Sequence, residues 1–125
     1  MNKALLAFMA LFGLLAGCAT QPRPSAPDAW RVDFRTTFAH ERVVVFVNTT
    51  QVFSGRITTN DVTGLAKWIA IPGQQDLLHL RIEVPATGVV LEKTLDAKQG
   101  RYVGISKQFD GELSLEQQLT PYAYD

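Results

Sequence analysis

Arg42-Val43-Val44-Val45-Phe46-Val47-Asn48-Thr49-Thr50-Gln51-Val52-Phe53-Ser54-Gly55-Arg56-Ile57-Thr58 holds two runs of β-branched and aromatic residues separated by a polar turn. Such side chains lose rotamer freedom in a helix and pack well on a pleated surface, so the stretch reads as a β-hairpin. Turning through Asn48-Thr49-Thr50-Gln51 sets Val47 against Val52 and Phe46 against Phe53, an apolar and an aromatic cross-strand pair. The run Val43-Val44-Val45-Phe46-Val47 is apolar at odd and even positions alike, which predicts an interior strand covered on both faces.

Outward from this hairpin, short runs rich in Val, Ile, Phe and Thr recur at intervals of about ten residues, and no apolar pattern of helical period persists for three turns. Strands are predicted over residues 30–38, 42–47, 52–58, 65–71, 77–84, 89–95, 101–108 and 112–119. The fold class is all-β: a small antiparallel β-sandwich of seven to eight strands, immunoglobulin-like or transthyretin-like, with a small β-barrel as the alternative. Two further hairpins have legible registers. A turn through Pro85-Ala86-Thr87-Gly88 opposes Val84 to Val89, Ile82 to Leu91 and Arg81 to Glu92, leaving Lys93 opposite Leu80, where its stem covers apolar surface and its ammonium reaches water. A three-residue loop, Phe109-Asp110-Gly111, opposes Ile105 to Leu115 and Lys107 to Leu113, with Gly111 supplying the left-handed residue.

The best polar constellation is His79, Arg81 and Glu83 at alternating positions of one strand, with Glu92 across the ladder from Arg81. All four project from one face. They form either a binding surface for a polar ligand, with Glu83 or Glu92 as a base in the catalytic version, or a solvated outer face with an ordinary Arg-Glu pair. His40 and Glu41 precede a strand and read as loop or edge residues. Nucleophilic catalysis has little support, because Ser54, Ser106 and Ser114 lie in no Gly-x-Ser-x-Gly elbow and Gly104-Ile105-Ser106 supplies only half of one.

Three features remain for recognition. The polar connection of residues 58–64 carries oxygens suited to a sugar hydroxyl or calcium, or to an Asx-type turn. Trp30 and Trp68 read as core or core-edge residues, with Trp68 also a candidate sugar platform. Residues 120–125 form a tail after the last strand, in which Tyr122 and Tyr124 either pack back over an open sheet edge or present a sticky peptide to a partner.

Composition removes other classes. Twelve basic and twelve acidic side chains in 125 residues, without a charged block, leave no footprint for nucleic acid. A single Cys excludes an internal disulfide, and with two His there is no cluster spaced for a structural metal.

Residues 1–17 differ in kind from the rest. Lys3 is their only charge, and residues 4–16 carry no polar side chain. As a helix that run spans about 20 Å, short of a bilayer core of roughly 30 Å, so it reads as an export signal and not as a membrane span. It ends in Leu15-Ala16-Gly17-Cys18. This tetrapeptide resembles the lipobox of bacterial lipoproteins, with Leu15, Ala16 and Gly17 at the signal-peptidase positions. The resemblance covers residues 1–18 and implies a diacylglyceryl thioether on Cys18, which becomes the new N-terminus and anchors the chain to membrane lipid. Ala19 in place of Asp implies, by the sorting rule of enteric bacteria, an outer-membrane address facing the periplasm.

Residues 18–29 then form a lipidated Cys and a tether, in which Pro22, Pro24 and Pro27 favour extended geometry reaching about 34 Å. The sandwich domain spans residues 30–119. These features predict a non-enzymatic envelope lipoprotein, without a cofactor other than its covalent lipid, that binds or helps assemble another envelope protein. The alternatives are a carbohydrate or peptidoglycan module, and an inhibitor of a periplasmic or foreign hydrolase.

Overall fold

The structure, a computed structural model, describes residues 29–124. The expected signal, the lipidation site Cys18 with Leu15, Ala16 and Gly17, the tether up to Asp28, and Asp125 lie outside the described residues. Eight strands follow in order: β1 (Trp30–Phe34), β2 (Ala39–Val47), β3 (Thr50–Thr58), β4 (Lys67–Ile71), β5 (Leu77–Val84), β6 (Val89–Asp96), β7 (Tyr102–Lys107) and β8 (Leu113–Gln118). They form two four-stranded sheets, β4-β1-β7-β8 and β3-β2-β5-β6, packed as a sandwich.

The sheets do not close on one another, which removes the barrel alternative. The strand order also differs from the immunoglobulin one, where the first, second, fifth and fourth strands share a sheet. Here the first strand pairs with the fourth and seventh, so of the two expected arrangements the transthyretin-like one remains. All ladders are antiparallel except β1 with β7, which runs parallel. That pair joins strands distant in sequence, as parallel neighbours must.

Alternation builds the core. Along β5, Leu78, Leu80, Ile82 and Val84 are buried while Leu77, His79, Arg81 and Glu83 are not. They meet Val43, Val45 and Val47 of β2 and, from the other sheet, Trp30, Val32, Phe34, Val103 and Ile105. The β5–β6 and β7–β8 registers agree with the expectation, including Leu80 opposite Lys93 and Ile105 opposite Leu115. Lys93 is an exposed inward-pointing charge on an edge strand, a common guard against edge-to-edge pairing.

The β2–β3 hairpin corrects the expected register. Its turn is the two residues Asn48 and Thr49, both at positive φ (49° and 70°), so Val47 faces Thr50 and Phe46 faces Gln51. A bulge at Val52 then sets Val45 opposite Phe53, still one residue away from the expected pairing of Phe46 with Phe53. The cause is tertiary. Asn48 donates its backbone N–H to the His79 carbonyl (2.9 Å), and its side-chain oxygen accepts the His79 N–H (3.1 Å), which ties the turn to β5. Type I′ geometry suits Gly at its second position, and a β-branched residue there is strained. Thr49→Gly is therefore expected to stabilise the domain by about 0.5 to 1 kcal/mol, read as a higher urea midpoint with unchanged slope.

Candidate functional site

The outer face of the β3-β2-β5-β6 sheet carries the polar constellation. The β2–β5 register sets Phe46 beside Arg81 and Val44 beside Glu83, and the β5–β6 register sets Arg81 beside Glu92 and His79 beside Thr94. Phe46, Thr49, His79, Arg81, Glu83 and Glu92 line an open depression of about 290 Å³, floored by the half-buried Phe46 ring. The structure thus brings His79, Arg81, Glu83 and Glu92 together. It adds Phe46, Thr49 and Thr94, which the sequence reading missed. The alternation of β2 was the available signal for Phe46, since a strand apolar on both faces must present one apolar row outward.

The charged groups are satisfied by one another. Glu92 bridges His79 (Nε2 to Oε2, 2.7 Å) and Arg81 (3.7 Å), and Arg81 Nε donates to Glu83 at 2.6 Å. His79 Nδ1 lies 3.0 Å from the Thr94 hydroxyl. If Nε2 carries the proton toward Glu92, Nδ1 accepts from Thr94. A carboxylate, an imidazole and a hydroxyl in line have the order of a base relay, but acyl transfer also needs N–H donors aimed at a developing oxyanion and exclusion of water. Along the strands of this face the backbone N–H groups lie in the plane of the sheet. The arrangement can hold a polar ligand over an aromatic floor.

Trp68, Tyr122 and Tyr124 lie on the opposite face of the sandwich, the outer face of β4-β1-β7-β8. Trp68 is 42% exposed and stacked under the Arg31 guanidinium, 4.3 Å from the ring centre, while Trp30 is fully buried. The tail crosses a sheet face and not an edge. Tyr122 and Tyr124 face the sheet, with the intervening Ala123 exposed, as alternation in an extended segment requires. Tyr124 donates to Asp33 Oδ2 (2.6 Å), and Asp33, only 1% exposed, also takes Arg31 Nε at 2.7 Å. Arg35 lies against the Tyr122 ring (4.4 Å) and ion-pairs with Glu116 at 3.1 Å.

The connection of residues 58–64 uses part of its oxygen set internally, while Asp61 is exposed. Asn60 Oδ1 accepts from the backbone of Val62 (2.8 Å) and Thr63 (3.2 Å), an Asx turn, and Thr59 Oγ1 donates to the Arg35 carbonyl at 2.7 Å. His40 sits in a β2 bulge at φ 69°, and its carbonyl accepts from Arg56 at 3.1 Å. Among the described residues, no group of three or more His, Cys, Asp or Glu is placed to hold a metal ion, and no helix is long and apolar enough to cross a membrane.

Burial, then the Glu116 charge, pushes the Tyr122 phenol up to about 12. Burial and the bond to Asp33 push Tyr124 higher still. For acids raised on folding, the stabilising contribution is complete below the ordinary phenol value near 10 and is lost as pH climbs through the folded value. Tail docking is therefore expected to persist at pH 10 and to fail near pH 12 and above. Phenolate absorbance checks this: Tyr122 and Tyr124 ionise late in the native chain and near pH 10 in denaturant.

No protein-family model, curated protein or solved structure matches the chain.

Proposed function

We propose that the protein is a lipid-anchored, non-enzymatic component of a bacterial outer membrane, whose β3-β2-β5-β6 face docks another envelope protein. The observation that carries the docking is the Phe46-floored depression ringed by His79, Arg81, Glu83 and Glu92. An aromatic centre with a polar rim is the pattern of a protein-recognition patch. The rim charges pair in part among themselves, with Arg81 shared by Glu83 and Glu92, which lowers the cost of covering them with a partner. Support for the anchor comes from Leu15-Ala16-Gly17-Cys18 and for the tether from Pro22, Pro24 and Pro27.

Photo-cross-linking in the native envelope tests the docking, with reactive side chains at Arg81, Trp68 and Tyr124 in turn. One recurring protein adduct from Arg81, absent from Trp68, is the expected result. Monomer alone at every position, or indiscriminate adducts from all three, contradicts it. Cys18→Ser tests the anchor: the chain is expected to lose its lipid and move from the membrane fraction to the soluble one. A wild-type chain recovered without lipid in the soluble fraction removes that half of the reading.

A sugar-binding reading is favoured by one observation, the ring of Phe46 beneath four hydrogen-bonding side chains. It rests on this face and not on Trp68, whose ring is covered by Arg31, or on Thr59 and Asn60, whose side-chain oxygens have partners within the chain. Peptidoglycan fragments that shift the Phe46 and His79 NMR resonances support it; a titration that leaves both unmoved counts against it.

A further inference from the structure

The tail rests on the β4-β1-β7-β8 face in a seat shaped for it. Gly104 of β7 has ordinary backbone geometry, yet a Cβ there would fall 2.7 Å from the Tyr122 hydroxyl oxygen and 2.8 Å from Cζ. The missing side chain is therefore a notch filled by a phenol. Two positions on, the Tyr124 hydroxyl meets Asp33 Oδ2, and Arg35 lies between the rings, 4.4 and 6.0 Å from their centres. The face thus reads a tyrosine-x-tyrosine segment by shape at one position and by a charged acceptor at the other.

What holds that segment is side chains. Among the described residues, no backbone-to-backbone hydrogen bond joins residues 121–124 to the sheet. The joint with β8 is equally loose: Leu119 is 73% exposed, Thr120 and Pro121 are exposed, and a single bond from Gln118 Nε2 to the Thr120 carbonyl (2.9 Å) bridges them. Such a segment detaches without disturbing a ladder.

We propose that residues 120–124 are an exchangeable strap, and that two copies of this chain associate by each seating its Tyr122 and Tyr124 in the Gly104 notch and on the Asp33 carboxylate of the other. The occupant is set by the molecule itself, since every copy carries both the seat and the segment that fits it. Exchange remakes the same contacts under a two-fold axis and closes at two copies. Residues 119–121, extended, span about 10 Å, the spacing of two sheets packed face to face. Within one chain the short link gives the strap a high effective concentration, so the closed monomer prevails in dilute solution and exchange grows with crowding. This surface is opposite the Phe46 depression, so its failure and the failure of the docking proposal are separate results.

Two full-length variants test it by complementation. Gly104→Ala keeps the strap but fills the notch, while Tyr122→Ala/Tyr124→Ala keeps the notch but blanks the strap. Each alone is expected to sediment as a monomer, and an equimolar mixture as a one-to-one dimer. Adding Tyr124→Phe to the Gly104→Ala chain weakens that dimer about tenfold, the scale of one hydrogen bond to a charged group. A mixture that stays monomeric at millimolar concentration, or a Gly104→Ala chain that dimerises alone, overturns the proposal. If the strapless variant does not fold, the wild-type chain decides the matter. In an equal mixture of isotope-labelled and unlabelled protein at millimolar concentration, cross-chain NOEs between the Tyr124 ring and Arg31 are expected, and contacts confined within chains overturn it.

Discussion

Trp30→Ala is expected to lower the unfolding free energy by about 3 to 5 kcal/mol, the largest loss of any single substitution considered for this domain. Trp30 opens β1, is fully buried, and is the bulkiest side chain of the core. Truncation removes its transfer free energy and leaves a cavity between sheets too well packed to collapse into it. It also removes one of two donors to the Gln75 carbonyl: the indole N–H donates to it at 2.8 Å and Arg101 Nη1 at 3.2 Å, which together hold the connection between β4 and β5 against the start of β1. Small domains hold about 5 to 15 kcal/mol in total, so the loss is a large fraction of the stability. Trp30→Phe, which keeps most of the apolar volume and loses the hydrogen bond, is expected to lose about 1 to 2 kcal/mol. Urea unfolding followed by circular dichroism checks both, and a loss below about 1 kcal/mol for Trp30→Ala contradicts the packing described.

Asp33→Ala is the second large effect, about 2 to 4 kcal/mol. Asp33 is the one charged residue buried among the described residues, and its carboxylate joins Arg31 to the Tyr124 hydroxyl. Removing one partner of a buried ion pair leaves the other charge poorly solvated, which costs more than the pair is worth. The Arg31 side chain is 30% exposed and regains some hydration, which keeps the loss below that of a fully enclosed pair. Tyr124→Phe alone is expected to cost about 1.5 kcal/mol, and close to nothing once Asp33 is gone, because the two changes remove one shared bond. A double-mutant cycle by urea unfolding measures this; additive losses show that Tyr124 does not depend on Asp33.

Much of the fold was legible because alternation and turn chemistry are local. Leu77–Val84 appears in the structure with the bounds expected of it, since its period-two pattern is unbroken and Pro85 and Gly88 mark the turn. The Gly111 loop was legible for the same reason, with φ at 91°. The β2–β3 register was not, because Asn48 is fixed by His79 of a strand 31 residues away, and no property of the hairpin itself announces that tie. Sheet assignment shares this difficulty: β1 pairs in parallel with β7, a strand far along the chain, and nothing local to β1 marks that neighbour.

The candidate site was half legible. Strand alternation placed His79, Arg81 and Glu83 on one face, and turn geometry placed Glu92 beside them, but the Phe46 floor was hidden by the mistaken pairing with Phe53. Trp30 and Trp68 are identical in type and both lie on strands, yet one fills the core and the other lies under Arg31. Gly104 shows the limit most clearly. In sequence it is half of an incomplete nucleophile motif, and only the arrival of Tyr122 from 18 residues away reveals that it is a seat.

The central claim is that a partner covers the Phe46 face in the living envelope, and site-specific thiol labelling measures this most directly. Thr94→Cys places a thiol on that face beside His79, and Val62→Cys places one on a connection 84% exposed elsewhere. Labelled in intact cells and again as purified protein, Thr94→Cys is expected to react at least about tenfold more slowly in cells, as burial at an interface requires, while Val62→Cys reacts at similar rates in both. Equal rates at Thr94→Cys in the two settings would show the face uncovered where the protein works, and would contradict the account.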